Sequence, residues 1–197
     1  MRRAVFLDRD GTLLEEGNYV SDIRNVVFFP YTIDAVRLLN DAGFAVVVIT
    51  NQSGIARGIV KEAFVGEAHR FIDGKLAEGG AHVDGYYYCP HHLEGTVAEF
   101  SRECECRKPK PGQLLAAAAD LGLDLGRSFV IGDRWSDVEA AEAVGARGIL
   151  VRTGYGTYAE QDSRASAVVV DNLIAAVAWI LRDAGDQVAT LERAQTA

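Results

Sequence analysis

Two acidic pairs stand where chemistry could be done: Asp8 with Asp10 in Asp8-Arg9-Asp10-Gly11-Thr12, and Asp133 with Asp137 in Gly132-Asp133-Arg134-Trp135-Ser136-Asp137. Each follows a short apolar run, Ala4-Val5-Phe6-Leu7 for the first and Phe129-Val130-Ile131 for the second. As buried parallel strands, these runs would release the chain at their carboxyl ends, where α/β folds place their ligands. Asp8 and Asp10 are two residues apart, which in a regular strand puts both on one face, and Gly11 lets the backbone turn sharply after them. Like charges held that close need a cation between them or a shared proton. A third apolar run, Phe44 to Ile49, delivers the polar stretch Thr50-Asn51-Gln52-Ser53-Gly54 in the same way.

A second group of reactive residues is Cys89-Pro90-His91-His92 followed by Cys104-Glu105-Cys106. Three cysteines, odd in number and tightly grouped, fit a disulfide framework poorly and a metal site well. Cys89, His91, Cys104 and Cys106 supply two short chelating pairs of the softness and number that tetrahedral zinc takes, with His92 the runner-up ligand. Four filled positions make the site structural. Cys106 immediately precedes Arg107 and Lys108, so a bound metal would pin the backbone that aims both cations.

The elements that must position these groups alternate. Ile33, Val36 and Leu39 predict a helix from Pro30 to Gly43, and Phe64, Ala68, Phe71, Ile72 and Leu76 predict another that stops at Gly79-Gly80. Val83 to Tyr88 reads as a strand. Pro111 opens a helix through Leu114, Leu115, Ala118 and Leu121, which Gly122 closes. After Asp137 an Ala-rich helix runs to Gly145, then come strands at Ile149–Val151 and Ala167–Val170. Asp171 is expected to cap a closing helix with Leu173, Val177 and Ile180 inward. Residues 13–29 contain a polar turn and then Val26-Val27-Phe28-Phe29, a flap or hairpin over the first strand. This order specifies a doubly wound, mostly parallel, Rossmann-like α/β sheet. The expected layout is one domain over residues 1–185, with flap 13–29, zinc loop 89–110 and a tail at 186–197.

At 197 residues with 49% hydrophobic content the chain can bury one sizeable core. A formal net charge of -8 argues against nucleic acid or an anionic membrane as partner, whereas a small phosphorylated substrate needs only a local cluster of cations. No signal-peptide core or long uncharged apolar run occurs, so the expected compartment is the cytoplasm and the expected state a monomer or small homo-oligomer.

Asp8-Arg9-Asp10-Gly11-Thr12, Thr50, Lys108 and Gly132-Asp133 with Asp137, in that order at strand ends, resemble the motifs of the haloacid dehalogenase (HAD) superfamily of phosphotransferases. The resemblance implies phosphate-ester hydrolysis with Asp8 as nucleophile and Asp10 as the acid that protonates the leaving alkoxide, then the base for water. It implies Mg2+ on Asp8, the Asp10 backbone carbonyl and Asp133, with Asp137 outside the metal's ligands. Thr50 and the N–H groups around Asn51 would bind phosphoryl oxygens while Lys108 offsets their charge.

Cys-Pro-His-His, Cys-Glu-Cys-Arg-Lys-Pro and Thr50 to Gly58 are similar, within that superfamily, to the heptose 1,7-bisphosphate 7-phosphatase family, over nearly the whole chain to about Gly154. Those enzymes lack a large cap domain. The resemblance implies contacts to the sugar or its second phosphate from Glu16, Gly17, Asn18, Tyr19, Thr50, Asn51, Gln52, Ser53, Arg107, Lys108 and Arg134, with Arg57 a further candidate. The competing expectations are a histidinol-phosphate or general sugar phosphatase, and a catalytically silent zinc-stabilised interaction module.

Overall fold

The computed structural model describes residues 1–162 and 168–183. Its sheet is built from β1 (Ala4–Leu7), β2 (Ala45–Asn51), β3 (Gly85–Cys89), β4 (Phe129–Gly132), β5 (Arg147–Val151) and β6 (Val168–Val170). The strand order is β3-β2-β1-β4-β5-β6 and every pairing is parallel. The chain winds outward from β1 through β2 to β3, then crosses back and continues through β4. The switch point therefore lies at β1, and the carboxyl ends of β1, β2 and β4 border one crevice.

The central strands β1 and β4, and β2 as far as Thr50, are buried because helices cover both faces, and alternate residues serve the two sides. Val5, Leu7, Val46, Val48 and Ile131 pack with α1 (Thr32–Asp41), α3 (Glu62–Glu78) and the closing helix α7 (173–183). Ala4, Phe6, Val47, Ile49 and Val130 pack instead with Leu114 and Ala117 of α4 (Gly112–Leu121) and Ala140 and Ala141 of α5 (Trp135–Glu142). Two short helices, α2 (Ser53–Ala56) after β2 and α6 (Gly156–Ala159) after β5, complete the set among the described residues.

Three details depart from the sequence expectations. Leu13 and Leu14 are buried in the main core, so the segment expected as a flap over 13–29 begins with core residues. Its strand pairing consists of isolated bridges from Leu14 to Asp10 and to Phe28 and a bond from Glu15 N–H to Val27 O, with Ile23–Asn25 a turn of 3-10 helix. The residue that caps α7 is Asn172, whose Oδ1 accepts the Ala175 N–H at 3.1 Å, because Asp171 is drawn off to Arg152 at 2.6 Å. Ala167 and the expected tail at 186–197 lie outside the described residues.

Candidate active site

At the crevice the chain leaves β1 at Leu7, so Asp8 and Asp10 are not on one strand face. Asp8 Oδ1 accepts the Arg9 N–H at 2.8 Å and lies 2.9 Å from Lys108 Nζ. No donor among the described residues is assigned to its other oxygen. Lys108 is buried, and its ammonium also lies 2.6 Å from Asp137 Oδ1 and donates to Ile49 O at 3.0 Å. Asp137 Oδ2 takes the Arg134 N–H at the start of α5 at 3.1 Å. A cation thus binds the ends of β1, β2 and β4 together.

Asp133 is fully buried; its Oδ2 accepts the Tyr155 N–H at 2.7 Å and its Oδ1 has no hydrogen-bond partner. Gly11 and Gly154 crowd this carboxylate so closely that a Cβ on either would strike it, and both have positive φ, 83° and 55°. Oxygens of Asp8, Asp133 and Asp137 all lie within 4.8 Å of one another. An orphaned buried carboxylate oxygen among hard donors fits a divalent cation such as Mg2+. The electrostatics agree. Burial pushes the Asp8 carboxyl well above the usual range, with Lys108 opposing and Asp137 and Asp133 adding to the rise. Burial lifts Asp133 to about 7 against the Tyr155 N–H bond. Burial alone would lower Lys108, but the charges of Asp137 and Asp8 outweigh it and hold the ammonium above its ordinary value. One lysine against three carboxylates leaves a negative excess that a divalent ion would neutralise.

Asp10 is held differently. Its carboxylate receives Arg9 Nε and Nη2, the latter at 2.8 Å, and Gln52 Nε2 at 2.9 Å. Its side chain is therefore apart from the carboxylate cluster, where Asp137 stands instead; the contribution expected of Asp10 to a metal is its carbonyl. Arg9, a variable position by motif, is buried and fixes Asp10. Thr50 is buried with its Oγ1 taking the second Gln52 bond at 2.9 Å. Asn51 grips the Lys108 backbone, donating to its carbonyl and accepting its N–H, both at 3.1 Å. This side chain therefore serves the lysine.

Gln113, on α4, joins these pieces and sequence reasoning passes over it. Its Oε1 accepts the Thr50 N–H at 2.9 Å, and its Nε2 donates to Cys106 O at 2.8 Å. The sequence shows only its place in the first turn after Pro111; its burial, which obliges the amide to find partners, emerges from the fold.

Above the carboxylates opens a cavity of about 390 Å³. Asp8, Asp10, Thr50, Asn51, Gln52, Ser53, Arg107, Lys108 and Arg134 reach it, as do Glu16, Asn18 and Tyr19 from the 13–29 segment. Gly17 is not among its lining residues. Arg57, His92 and Tyr155 also face it. His92, the runner-up zinc ligand, turns to Arg57, whose Nη2 lies 3.3 Å from its Nε2.

Zinc-type donors gather beside this rim. Cys89 Sγ lies 3.5 Å from Cys104 Sγ and 3.7 Å from His91 Nδ1, and His91 Nδ1 is 3.3 Å from Cys106 Sγ. A tetrahedron with metal–sulfur bonds of about 2.3 Å has edges of roughly 3.8 Å. The cluster fits a structural zinc, and residues 90–111 contain no helix or strand to hold them otherwise.

A HAD-hydrolase-like family model matches residues 105–176. The D-glycero-beta-D-manno-heptose-1,7-bisphosphate 7-phosphatase of Yersinia pestis is 47% identical over 168 residues, 84% of this chain and 89% of that relative. The Salmonella typhi protein of the same name is 40% identical over 194 residues, 98% of this chain and 96% of its own. The D,D-heptose 1,7-bisphosphate phosphatase of B. bronchiseptica, solved with magnesium and phosphate, superposes with a TM-score of 0.83 at 30% identity, covering 92% and 99% of the two chains. This chain belongs to the HAD-like heptose-1,7-bisphosphate 7-phosphatase family.

Proposed function

We infer that the protein removes the 7-phosphate of D-glycero-D-manno-heptose 1,7-bisphosphate, a step toward the heptose precursors of lipopolysaccharide. The observation that carries this reading is Lys108 Nζ between Asp8 and Asp137 at the floor of the cavity, beside the orphaned Asp133 oxygen. Phosphate-ester hydrolysis is so slow without catalysis that nucleophile, charge neutralisation and leaving-group protonation must act together.

Asp8 attacks phosphorus through the oxygen left free of donors, and the bond to the sugar oxygen breaks as Asp10 gives that oxygen a proton. The resulting aspartyl-phosphate is opened by water, whose proton returns to Asp10, releasing inorganic phosphate and restoring Asp8. Arg9 and Gln52 hold the Asp10 side chain at the cavity wall. Thr50 and Lys108 stabilise the phosphoryl oxygens. Mg2+, when bound by Asp8, Asp133 and the Asp10 carbonyl, supplies charge neutralisation at the phosphoryl group. Glu16, Asn18, Tyr19, Ser53, Arg107 and Arg134, which line the cavity, receive the sugar and its remaining phosphate.

We place the enzyme in the cytoplasm, as a monomer or small homo-oligomer without nucleic-acid or membrane partners. The net charge of -8 argues against nucleic acid and anionic membranes as partners. Hydrolysis of 4-nitrophenyl phosphate with Mg2+ by wild type and Asp8→Asn tests the chemistry, with activity expected only in wild type. Comparing kcat/KM on both anomers of the heptose bisphosphate with that on histidinol phosphate tests the substrate. A preference for histidinol phosphate overturns the heptose reading.

A further inference from the structure

Nothing in the sequence singles out Tyr155, yet it ties three parts of the cavity together. Its N–H donates to Asp133 Oδ2 at 2.7 Å. Its ring lies 3.7 Å from the Arg134 guanidinium carbon, and its hydroxyl donates to Asn18 Oδ1 at 3.1 Å. Arg134 is an exposed side chain at the start of α5, and a long side chain in that position loses rotamer entropy whenever it is aimed. Stacking on an aromatic face fixes the guanidinium plane in advance of any ligand.

The partner of the hydroxyl is equally informative. Asn18 and Tyr19 both have positive φ, 47° and 62°, a conformation that Asn tolerates but that is uncommon for Tyr. Such strain persists only where surroundings enforce it. Here two contacts do so. Tyr155 holds Asn18 on the β5 side, and Tyr19 lies against Gly54 of α2, where a Cβ would come within 2.9 Å of its ring. The 16–19 loop therefore spans the cavity mouth with a fastening at each side.

We infer that Tyr155 is a positioning residue for substrate specificity: its ring presents Arg134 to the sugar-phosphate end remote from Asp8, and its hydroxyl fastens the 16–19 loop over that end. This rests on the bisphosphate reading above. It assigns the ring a role in binding the larger substrate, which a small aryl phosphate does not reach. The backbone bond to Asp133 is common to every side chain at this position, so substitution isolates the ring and hydroxyl.

The test uses the Mg2+-loaded full chain and the ratio of kcat/KM on heptose 1,7-bisphosphate to that on 4-nitrophenyl phosphate. Tyr155→Leu is expected to lower this ratio about tenfold through KM for the bisphosphate, the size of a partly desolvated cation–π contact. Tyr155→Phe, which keeps the stack, is expected to restore the ratio to within about threefold of wild type. The inference is overturned by a Tyr155→Leu ratio within about twofold of wild type. Parallel loss of kcat on both substrates also overturns it, because that is the signature of a displaced Asp133. A wild-type enzyme that shows no preference for the bisphosphate defeats the parent reading itself, and is seen before any variant is made.

Discussion

Lys108 Nζ lies 2.9 Å from Asp8 Oδ1 and 2.6 Å from Asp137 Oδ1, in a site where all three side chains are buried. The lysine offsets charge on the proposed nucleophile and also compensates an acid that has few other donors. Lys108→Met removes both services and leaves carboxylates buried without their cation. Loss of one partner of a buried pair destabilises by about 3–5 kcal/mol where nothing compensates. The expected outcome is a fall in kcat of at least about 10²-fold together with a lower Tm. Steady-state kinetics and calorimetry measure the two, and wild-type kcat in the variant would remove Lys108 from the chemistry.

The zinc cluster makes a separate prediction. Cys89 is anchored at the end of β3, but His91, Cys104 and Cys106 lie in a segment without helix or strand, so the metal is expected to hold the loop that leads into Arg107 and Lys108. Purified protein treated with a thiol-modifying mercurial should release zinc to a chromophoric chelator in proportion to protein. Cys106→Ser should abolish that release and raise KM more than it lowers kcat, since Cys106 O is tied through Gln113 to the Thr50 N–H. Metal-free wild type with unchanged Tm and KM would deny the cluster this role.

Gln113 gives a sharper check of that tie. Gln113→Met keeps volume but leaves the buried Thr50 N–H without its acceptor, a loss of about 1–3 kcal/mol. The expected result is a lower Tm and roughly tenfold weaker inhibition by inorganic phosphate, because the same N–H fixes the loop that holds phosphoryl oxygens. Gln113→Glu retains the acceptor but sets a carboxylate oxygen against Cys106 O in place of the donor, a repulsion that Gln113→Met lacks, and should therefore disturb zinc retention more than Gln113→Met does.

His69 on α3 carries a pH prediction away from the carboxylate cluster. Its ring stacks on Tyr86 at 4.2 Å between centroids and its Nε2 is buried without a partner. Burial, then the charge of Arg9, lowers it to about 4 against the opposing pull of Asp10. Its unfolded value is about 6.5. The folded protein thus binds fewer protons than the unfolded chain between these values. The stability this neutral ring contributes is complete above about pH 6.5 and is lost as pH falls through about 4. His69→Phe keeps the stack and removes the titration, so the difference in unfolding free energy between pH 7.5 and pH 5 should shrink relative to wild type, by an amount on the order of 1–2 kcal/mol. An unchanged difference would show that His69 takes up its proton equally in the folded and unfolded states.

Much of this arrangement was legible from local pattern. The runs that became β1, β2 and β4 are apolar on both faces, as strands covered on both sides must be, and each ends in residues too polar to continue. The cysteine spacing likewise carried its own geometry, since short chelating pairs need little help to converge. Side-chain commitments were less legible. Asn51 reads as a phosphate-loop residue, but it holds the Lys108 backbone 57 positions away. Asp10 reads as a partner of Asp8, yet Arg9 and Gln52 hold it aside. Asp171 reads as a helix cap until Arg152 takes it.

By itself the sequence determined which elements form and which end of each carries the acids, because hydrophobic period and chain breaks act over a few residues. It also determined the family, since the motifs keep their order. The tertiary structure alone decided how the polar groups pair. Gln113 meets Thr50 across 63 positions and Tyr155 meets Asn18 across 137, and such partners follow only from the parallel sheet order that brings β1, β2, β4 and β5 to one edge. A buried polar group takes the partner that packing brings within reach, and packing is a property of the whole chain.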